Sequence, residues 1–226
     1  IQRTIDNIPK EYFDKIICCD DNSNDKTGLI VKKNNIDFFT HKHFGYGGNL
    51  FFGLKKAFKN GATHVVELHG DGQYDFKAII DCIPLIKKNA DLILGNRFYR
   101  YLKPLSHGMD LIRFFGNLLI TNIGSIGLGI KSRDLFPGFR VYSRRFYESI
   151  DLENTSDNYF FSFEIIAQSK FLNLSIVSVP VDCDYKEMHS SMSLINGFPA
   201  IYHTIKTVIM YRLAKLSIKT KFFKNL

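Results

Sequence analysis

Thr63-His64-Val65-Val66-Glu67-Leu68, running directly into His69-Gly70-Asp71-Gly72-Gln73-Tyr74-Asp75, is the stretch on which the fold turns. A run rich in apolar and β-branched side chains reads as a strand, and here it breaks at once into a polar loop whose acid lies between two glycines. The same rhythm recurs on either side. Lys15 to Cys19 is a short apolar run that ends in Asp20-Asp21-Asn22-Ser23-Asn24-Asp25, Ile36 to Thr40 is a second strand, and Asp91 to Leu94 runs into Gly95-Asn96-Arg97. Asp25 is positioned to cap a helix after the first strand, and Leu50, Leu54, Ala57 and Phe58 recur at helical spacing until Gly61 stops them. A further helix is expected over Lys77 to Lys88. Strands alternating with helices predict an α/β fold with a mostly parallel sheet covered by helices on both faces. Ligands bind beyond the carboxyl ends of such strands, so Asp20-Asp21, His69 to Gln73 and Gly95 to Arg97 are expected to converge on one crevice.

After Arg97 the rhythm changes. A long helix is expected over Asp110 to Leu128, then a strand Phe139 to Tyr142, a helix Phe161 to Phe171 and a strand Leu174 to Val181, a half that reads as the acceptor side of a site. From Ile195 the chain reads as an amphipathic helix with a basic tail, in which Arg212, Lys215, Lys219, Lys221 and Lys224 interleave with Leu213, Leu216, Ile218, Phe222 and Phe223. That pattern suits a membrane interface or a solvated helix end. The division expected is a catalytic domain over residues 1–194 and this basic helix and tail over 195–226.

Composition narrows the class. With 45% hydrophobic residues and 23% charged in 226 residues, the chain can bury a core of its own and is not a disordered polymer. Lys and Arg outnumber Asp and Glu by 30 to 22, which favours anionic partners: sugar nucleotides, phospholipid surfaces or nucleic acid. Cys18, Cys19, Cys82 and Cys183 have neither CxxC spacing nor neighbouring histidines, the pattern of reduced thiols in a cytosolic protein. No run of about 18 uninterrupted apolar residues is present, and Phe114 to Ile130 is rich enough in Gly, Asn and Ser to read as a buried or interfacial helix.

Carboxylates at several strand ends suit a reaction in which a divalent cation neutralises a diphosphate leaving group. Asp71 is the best single candidate, with glycines on both sides that admit close backbone approach and with Gln73, whose carbonyl is a hard-cation ligand. Taken alone, Gly-Asp-Gly is an ordinary turn, and its position opposite Asp20-Asp21 is what distinguishes it. Arg97 and Arg140 have the bidentate geometry to grip a phosphate or to form structural ion pairs, whereas Arg113 reads as solvated. Glu164 opens the interior of an apolar helix, as a general base toward a hydroxyl or as a buried partner for an arginine.

Six of these segments, in order, resemble family-2 glycosyltransferases. They are Asp20 to Thr27, Phe44 to Gly53, His69 to Asp75, Gly95-Asn96-Arg97, Pro137-Gly138-Phe139-Arg140-Val141-Tyr142 and Phe163-Glu164, ahead of the strand Val179-Pro180-Val181. The branch they resemble most includes dolichol-phosphate mannose synthases and bacterial polyprenyl-phosphate enzymes. The resemblance implies a GT-A fold and metal-assisted, inverting transfer of a sugar from a nucleoside diphosphate to a polyprenyl phosphate or a cell-surface glycan. It implies Mg²⁺ or Mn²⁺ on Asp71 and Gln73, donor contacts from Asp20, Asp21, Ser23, Gly48, Asn49 and Asp71, and acceptor contacts from Arg97 and Arg140. Asp71, Glu164 and Arg97 are then the catalytic candidates. An anionic membrane surface is the implied partner, nucleic acid is not, and the expected location is peripheral at the cytoplasmic face.

Two departures stand out. The family begins with a strand and an Asn-Glu loop, which are expected to be missing before Ile1, and His69 replaces the first acid of the metal motif. Two rivals remain open from the residues alone: a nucleotidyltransferase, and a non-catalytic protein that binds anionic polymer.

Overall fold

The computed structural model describes residues 1–186 and 197–223. The chain opens with α1 (Gln2–Asp6), a short helix with no counterpart in the expectations above, and reaches β1 (Ile17–Asp20). Then follow α2 (Thr27–Lys33), β2 (Asp37–Thr40), α3 (Gly45–Lys59), β3 (His64–Glu67), α4 (Ile79–Lys87), β4 (Leu92–Asn96), α5 (Lys103–Ser106) and α6 (Leu111–Leu128). The second half holds β5 (Arg140–Ser143), α7 (Arg144–Ser149), α8 (Phe161–Phe171), β6 (Ile176–Pro180) and α9 (Gly197–Lys215). Every strand and long helix expected from the sequence is present, shifted at its ends by a few residues.

Local chemistry explains the boundaries. Asp25 accepts the Thr27 N–H at 2.8 Å to start α2. Asp110 accepts the Arg113 N–H at 2.9 Å, and Gly129, at φ 66°, ends the helix in the left-handed conformation that lets Ile130 N–H reach back to Ser125. On β4, Leu92, Ile93 and Leu94 are all buried, as a strand covered on both faces must be.

The α/β architecture is as expected, but the sheet is in two pieces. β1 and β2 pair in parallel. The other four strands lie in the order β3-β5-β4-β6, with β4 and β6 parallel and β5 antiparallel to both β3 and β4. Only β5 is therefore reversed against the rest. The facing edges of β1 and β3 share no strand pairing, and both line a cleft of about 1490 Å³. The half-buried Ile17, Cys18, Val65 and Val66 lie along it, over a floor that includes Leu54, Ile79 and Ile83.

One core packs between the four-stranded sheet and α3, α8 and α9, around Leu54, Phe58, Tyr142, Phe146, Phe161 and Tyr211. A second lies under α4, around Phe76, Ile79, Ile93 and Val179. The expectation of a tail that lies in a membrane interface or frays into solvent is corrected at Phe222 and Phe223. After α9 the chain turns at Ser217 (φ 63°) and folds back as a 3₁₀ turn, Lys221–Phe223, in which Phe222 and Phe223 are 2% and 3% exposed. Phe223 packs tilted against Phe171 and edge-on to Tyr211, so these aromatic rings are core and unavailable to a membrane. The expected boundary at 194/195 and Lys224 lie outside the described residues.

Two outcomes follow from this packing. β4, paired on both sides, should hold the slowest-exchanging amides, and the β1–β2 pair should exchange at least about 100-fold faster by hydrogen-exchange mass spectrometry; equal protection would show that the β1 and β3 edges are not open. Phe223→Ala should destabilise the protein by about 3 kcal/mol or more in chemical denaturation, the ordinary cost of emptying a buried phenyl site, whereas a free tail would give no change.

Candidate active site

The cleft runs from the β1–β3 gap past the acidic loop and out to the start of α6 and α9, where Ile112, Arg113, Phe198 and Ile201 line it. Of the residues expected from sequence, it brings together Asp20, Ser23, Asn49, Asp71, Gln73 and Arg97. Asp21, Gly48, Arg140 and Glu164 do not line it.

The loop that carries Asp71 is braced from both sides. Thr4 of α1 donates to Gly70 O at 2.8 Å, Asp184 N–H donates to Gln73 O at 2.8 Å, and Tyr74 bridges to Cys183. Gly72 takes φ 70°, which a side chain rarely adopts. Asp71 itself is exposed, with Oδ1 accepting the Gln73 N–H at 3.0 Å in a local turn and the rest of the carboxylate facing the cleft. Among the described residues no three His, Cys, Asp or Glu side chains converge as a ready-made metal centre.

Beneath the loop lies a buried polar cluster that the sequence did not reveal. Glu67, at the end of β3 and 7% exposed, accepts from Tyr46 Oη at 2.6 Å, Tyr142 Oη at 2.6 Å and His69 Nε2 at 2.9 Å. Arg140, fully buried and directly opposite Glu67 in the β3–β5 register, brings Nη1 to 3.8 Å. Burial pushes the Glu67 carboxyl up, but the His69 hydrogen bond and the Arg140 charge outweigh it and hold the group near about 2. Burial and the same carboxylate push the Tyr46 and Tyr142 hydroxyls well above their ordinary range, so both stay protonated donors. His69 Nε2 must then carry the proton, since an ionised carboxylate only accepts. Gly138 packs against the other edge of that ring: a Cβ there would come to 2.7 Å from Nδ1 and closer still to Cε1. The Gly-Phe-Arg strand thus serves His69 with its glycine and Glu67 with its arginine.

The remaining candidates have other partners. Asp20 is taken by Ser23, through N–H at 2.9 Å and Oγ at 2.5 Å. Asp21 accepts the N–H groups of Phe44 and Gly45 at 2.6 and 3.0 Å and lies 2.7 Å from His43 Nδ1, so it caps the start of α3. Gly48 N–H goes to Asp157 O, and Asn49 ties α3 to Cys19 O and to His41. Arg97 forms a two-point pair with Asp134, at 2.7 and 2.8 Å, and also meets Tyr185, Asn117 and Phe136 O. Of its two sequence readings, the ion pair is the one its geometry satisfies. Arg140 is sealed from the cleft, with Nε and Nη2 unpartnered among the described residues. Glu164 is fully buried and pairs with no arginine among the described residues. Ser156 donates to it twice, at 2.7 and 2.5 Å, and His203 Nε2 of α9 lies at 2.7 Å. Arg113, read from sequence as solvated, is 34% exposed, lies 3.2 Å from Asp110 and lines the cleft.

Comparison with known proteins agrees with this geometry. Residues 1–151 match the glycosyl transferase family 2 model. The UDP-N-acetylglucosamine–dolichyl-phosphate N-acetylglucosaminyltransferase of Methanococcus voltae is 26% identical over 228 residues, covering 91% of this chain and 89% of the relative. Polyprenol monophosphomannose synthase of Mycolicibacterium smegmatis is 24% identical over 217 residues, covering 88% and 77%. Among solved structures, glucosyl-3-phosphoglycerate synthase from Mycobacterium tuberculosis, in complex with Mn²⁺, UDP-glucose and glycerol 3-phosphate, superposes with a TM-score of 0.63 at 15% identity, covering 97% of this chain and 76% of that one. The GT-A fold expected from the sequence is the one found.

The Glu67 cluster makes a pH-dependent contribution to stability. A carboxyl held below its ordinary range stabilises the fold fully above about pH 4.5 and loses that contribution as pH falls toward about 2. Glu67→Gln should therefore be less stable than the parent near neutrality, by about 3 kcal/mol at most, and the gap should close on acidification. Denaturant titrations at several pH values check this; a gap independent of pH would mean that Glu67 is not the ionised centre.

Proposed function

Because this chain belongs to glycosyl transferase family 2 and is a glycosyltransferase, we propose that it moves a sugar, with inversion, from a nucleoside diphosphate to the phosphate of a polyprenyl lipid. Family membership removes the footing of the nucleotidyltransferase and polymer-binding alternatives. The lipid phosphate is favoured over a glycan hydroxyl by one observation above all: among the described residues, the carboxylates Asp20, Glu67 and Glu164 are already engaged by hydrogen-bond donors of the fold. Asp20 is held by Ser23, Glu67 is surrounded by donors and stays ionised, Glu164 is buried against Ser156 and His203, and His69, which lines the cleft, has its Nε2 committed to Glu67. A hydroxyl acceptor needs a base in reach, and a phosphate already ionised at neutral pH does not. The names of the two polyprenyl- and dolichyl-phosphate relatives point the same way.

In this reading Asp71 and the Gln73 carbonyl hold Mg²⁺ or Mn²⁺ against the donor diphosphate. The cation, when bound, offsets the negative charge that builds on the leaving group. Asp20, Ser23 and Asn49 form the donor wall, and Asp21 and Gly48 act behind it by fixing the start of α3. Arg113 is the guanidinium at the mouth that is open to the acceptor phosphate, in the part expected of Arg97 and Arg140. The reaction belongs at the cytoplasmic face of a membrane, where the acceptor resides.

Asp71→Asn should lower turnover by at least about tenfold, equivalent to about 1.4 kcal/mol or more, and should abolish the Mn²⁺-dependent rise in melting temperature that the correct sugar nucleotide produces by mass action. Polyprenyl phosphate should be glycosylated at least about 100-fold faster than the corresponding polyprenol. Equal rates with the two acceptors would overturn the lipid-phosphate reading, and full activity in excess chelator would overturn the metal assignment.

A further inference from the structure

Helices α6 and α9 lie side by side, and their outer surface is apolar where a protein surface is ordinarily polar. Leu111, Phe115, Leu119 and Ile126 on α6 are 51% to 78% exposed, and Phe198, Tyr202, Ile205 and Ile209 on α9 are 42% to 82% exposed. The intervals are four, four and seven on α6 and four, three and four on α9, so each set is one stripe on one face. The two stripes are joined at both ends. Ile112 and Phe198 line the same cleft mouth, and at the far end Arg212 donates from Nε to Gly127 O at 2.8 Å and from Nη2 to Ile126 O at 3.3 Å. α6 is long and apolar enough to cross a bilayer, with a mean hydropathy of 1.4, but its inner face is committed: Gly127 abuts Val208 of α9, and Gly124 abuts Phe163 and Leu135. Such a helix can lie on a membrane without leaving the fold.

Charge selects the partner. Within residues 100–133 and 197–223 Asp110 is the only carboxylate side chain, against ten Lys and Arg, so the chain's surplus of +8 falls in these two stretches and the remainder is close to neutral. Lys206, Arg212 and Lys215 stand exposed on α9 beside its apolar stripe. Apolar side chains flanked by bases, with almost no acid, match an anionic lipid surface and mismatch a second copy of the same face, on which like charges would meet.

We propose that the outer face of the α6–α9 pair docks on an anionic bilayer and seats the mouth of the cleft, at Ile112, Arg113 and Phe198, at the lipid surface. The docking gives the proposed lipid acceptor a route from the membrane plane to Asp71, and in that respect rests on the reading above. Its test does not, because vesicles without polyprenyl phosphate or sugar nucleotide suffice. This face replaces the C-terminal tail as the membrane contact, since Phe222 and Phe223 are buried.

The chain has no tryptophan, so a single one reports its own surroundings. Ile126→Trp and Leu29→Trp, both at exposed positions, the second on α2, would be mixed with phosphatidylcholine vesicles with and without about 30% phosphatidylglycerol. The expected result is a blue-shifted emission for Ile126→Trp with the anionic vesicles alone and none for Leu29→Trp. Binding in flotation should fall at least about tenfold on raising salt from about 0.05 to 0.5 M. It should also fall at least about tenfold in Phe115→Asp/Ile209→Asp, whose melting temperature should stay that of the parent because both sites are exposed. The proposal is overturned if the protein does not bind anionic vesicles at low salt, or if the double variant binds as well as the parent. It is overturned too if the protein is a dimer without vesicles that Ile126→Asp converts to a monomer, for the face would then be covered by a second copy.

Discussion

A carboxylate buried beneath a binding cleft has to be neutralised from several directions, and Glu67 is the point at which this fold does so. Its position is fixed by strand register, which sets Arg140 opposite it and Tyr142 two residues along the same strand. Tyr46 reaches it from α3 and His69 from the acidic loop, so one ionised group ties together β3, β5, α3 and the loop that carries Asp71. An unpaired charge here would cost several kcal/mol. The donors are therefore held where they are, and the geometry of the loop is inherited from them.

The divided sheet explains why that anchor matters. Between β1 and β3 there is no ladder of hydrogen bonds, so the β1–β2 pair is attached to the rest mainly through α3. α3 is fixed at its start by Asp21 and by the Asp157 carbonyl, along its length by Asn49 on Cys19 O, and by Tyr46 on Glu67. Gly47 permits the approach at the Asp157 end, since a Cβ there would collide with Ser156 O and Phe161. Residues that the family resemblance implies as donor contacts thus also align two half-sheets whose open edges face one cleft.

What was legible in the sequence is what local pattern encodes. The apolar runs ending in polar loops gave the strands, Asp110 and Gly129 bounded α6, and the order of the loops predicted a common crevice that Asp20, Asp71 and Arg97 do share. Pairings between distant residues were not legible. Arg97 and Asp134 are 37 positions apart, Glu67 and Tyr142 are 75, and neither spacing has a local signature. The basic tail misled for a related reason. Its alternation of charged and apolar residues suits an interfacial helix, but the turn at Ser217 returns Phe222 and Phe223 to the core, and nothing in the alternation announces the turn. Conversely, the outer faces of α6 and α9 carry the apolar excess, which becomes visible once packing shows which residues are left outside.

The commitments of the carboxylates bear on the chemistry more than the identity of any one of them. A site that must deprotonate its acceptor keeps a group of intermediate acidity exposed beside the reacting atoms. Here Glu67 is stabilised in its ionised form and Glu164 is taken up by its own hydrogen bonds, while Asp71 is exposed between two glycines, suited to meeting a cation and a diphosphate. On the proposed reading such an arrangement serves to manage negative charge. An acceptor that arrives already charged would suit it, and on the proposed reading the mouth at Arg113, opening onto a basic and apolar surface, is where an anionic head group on a lipid would arrive.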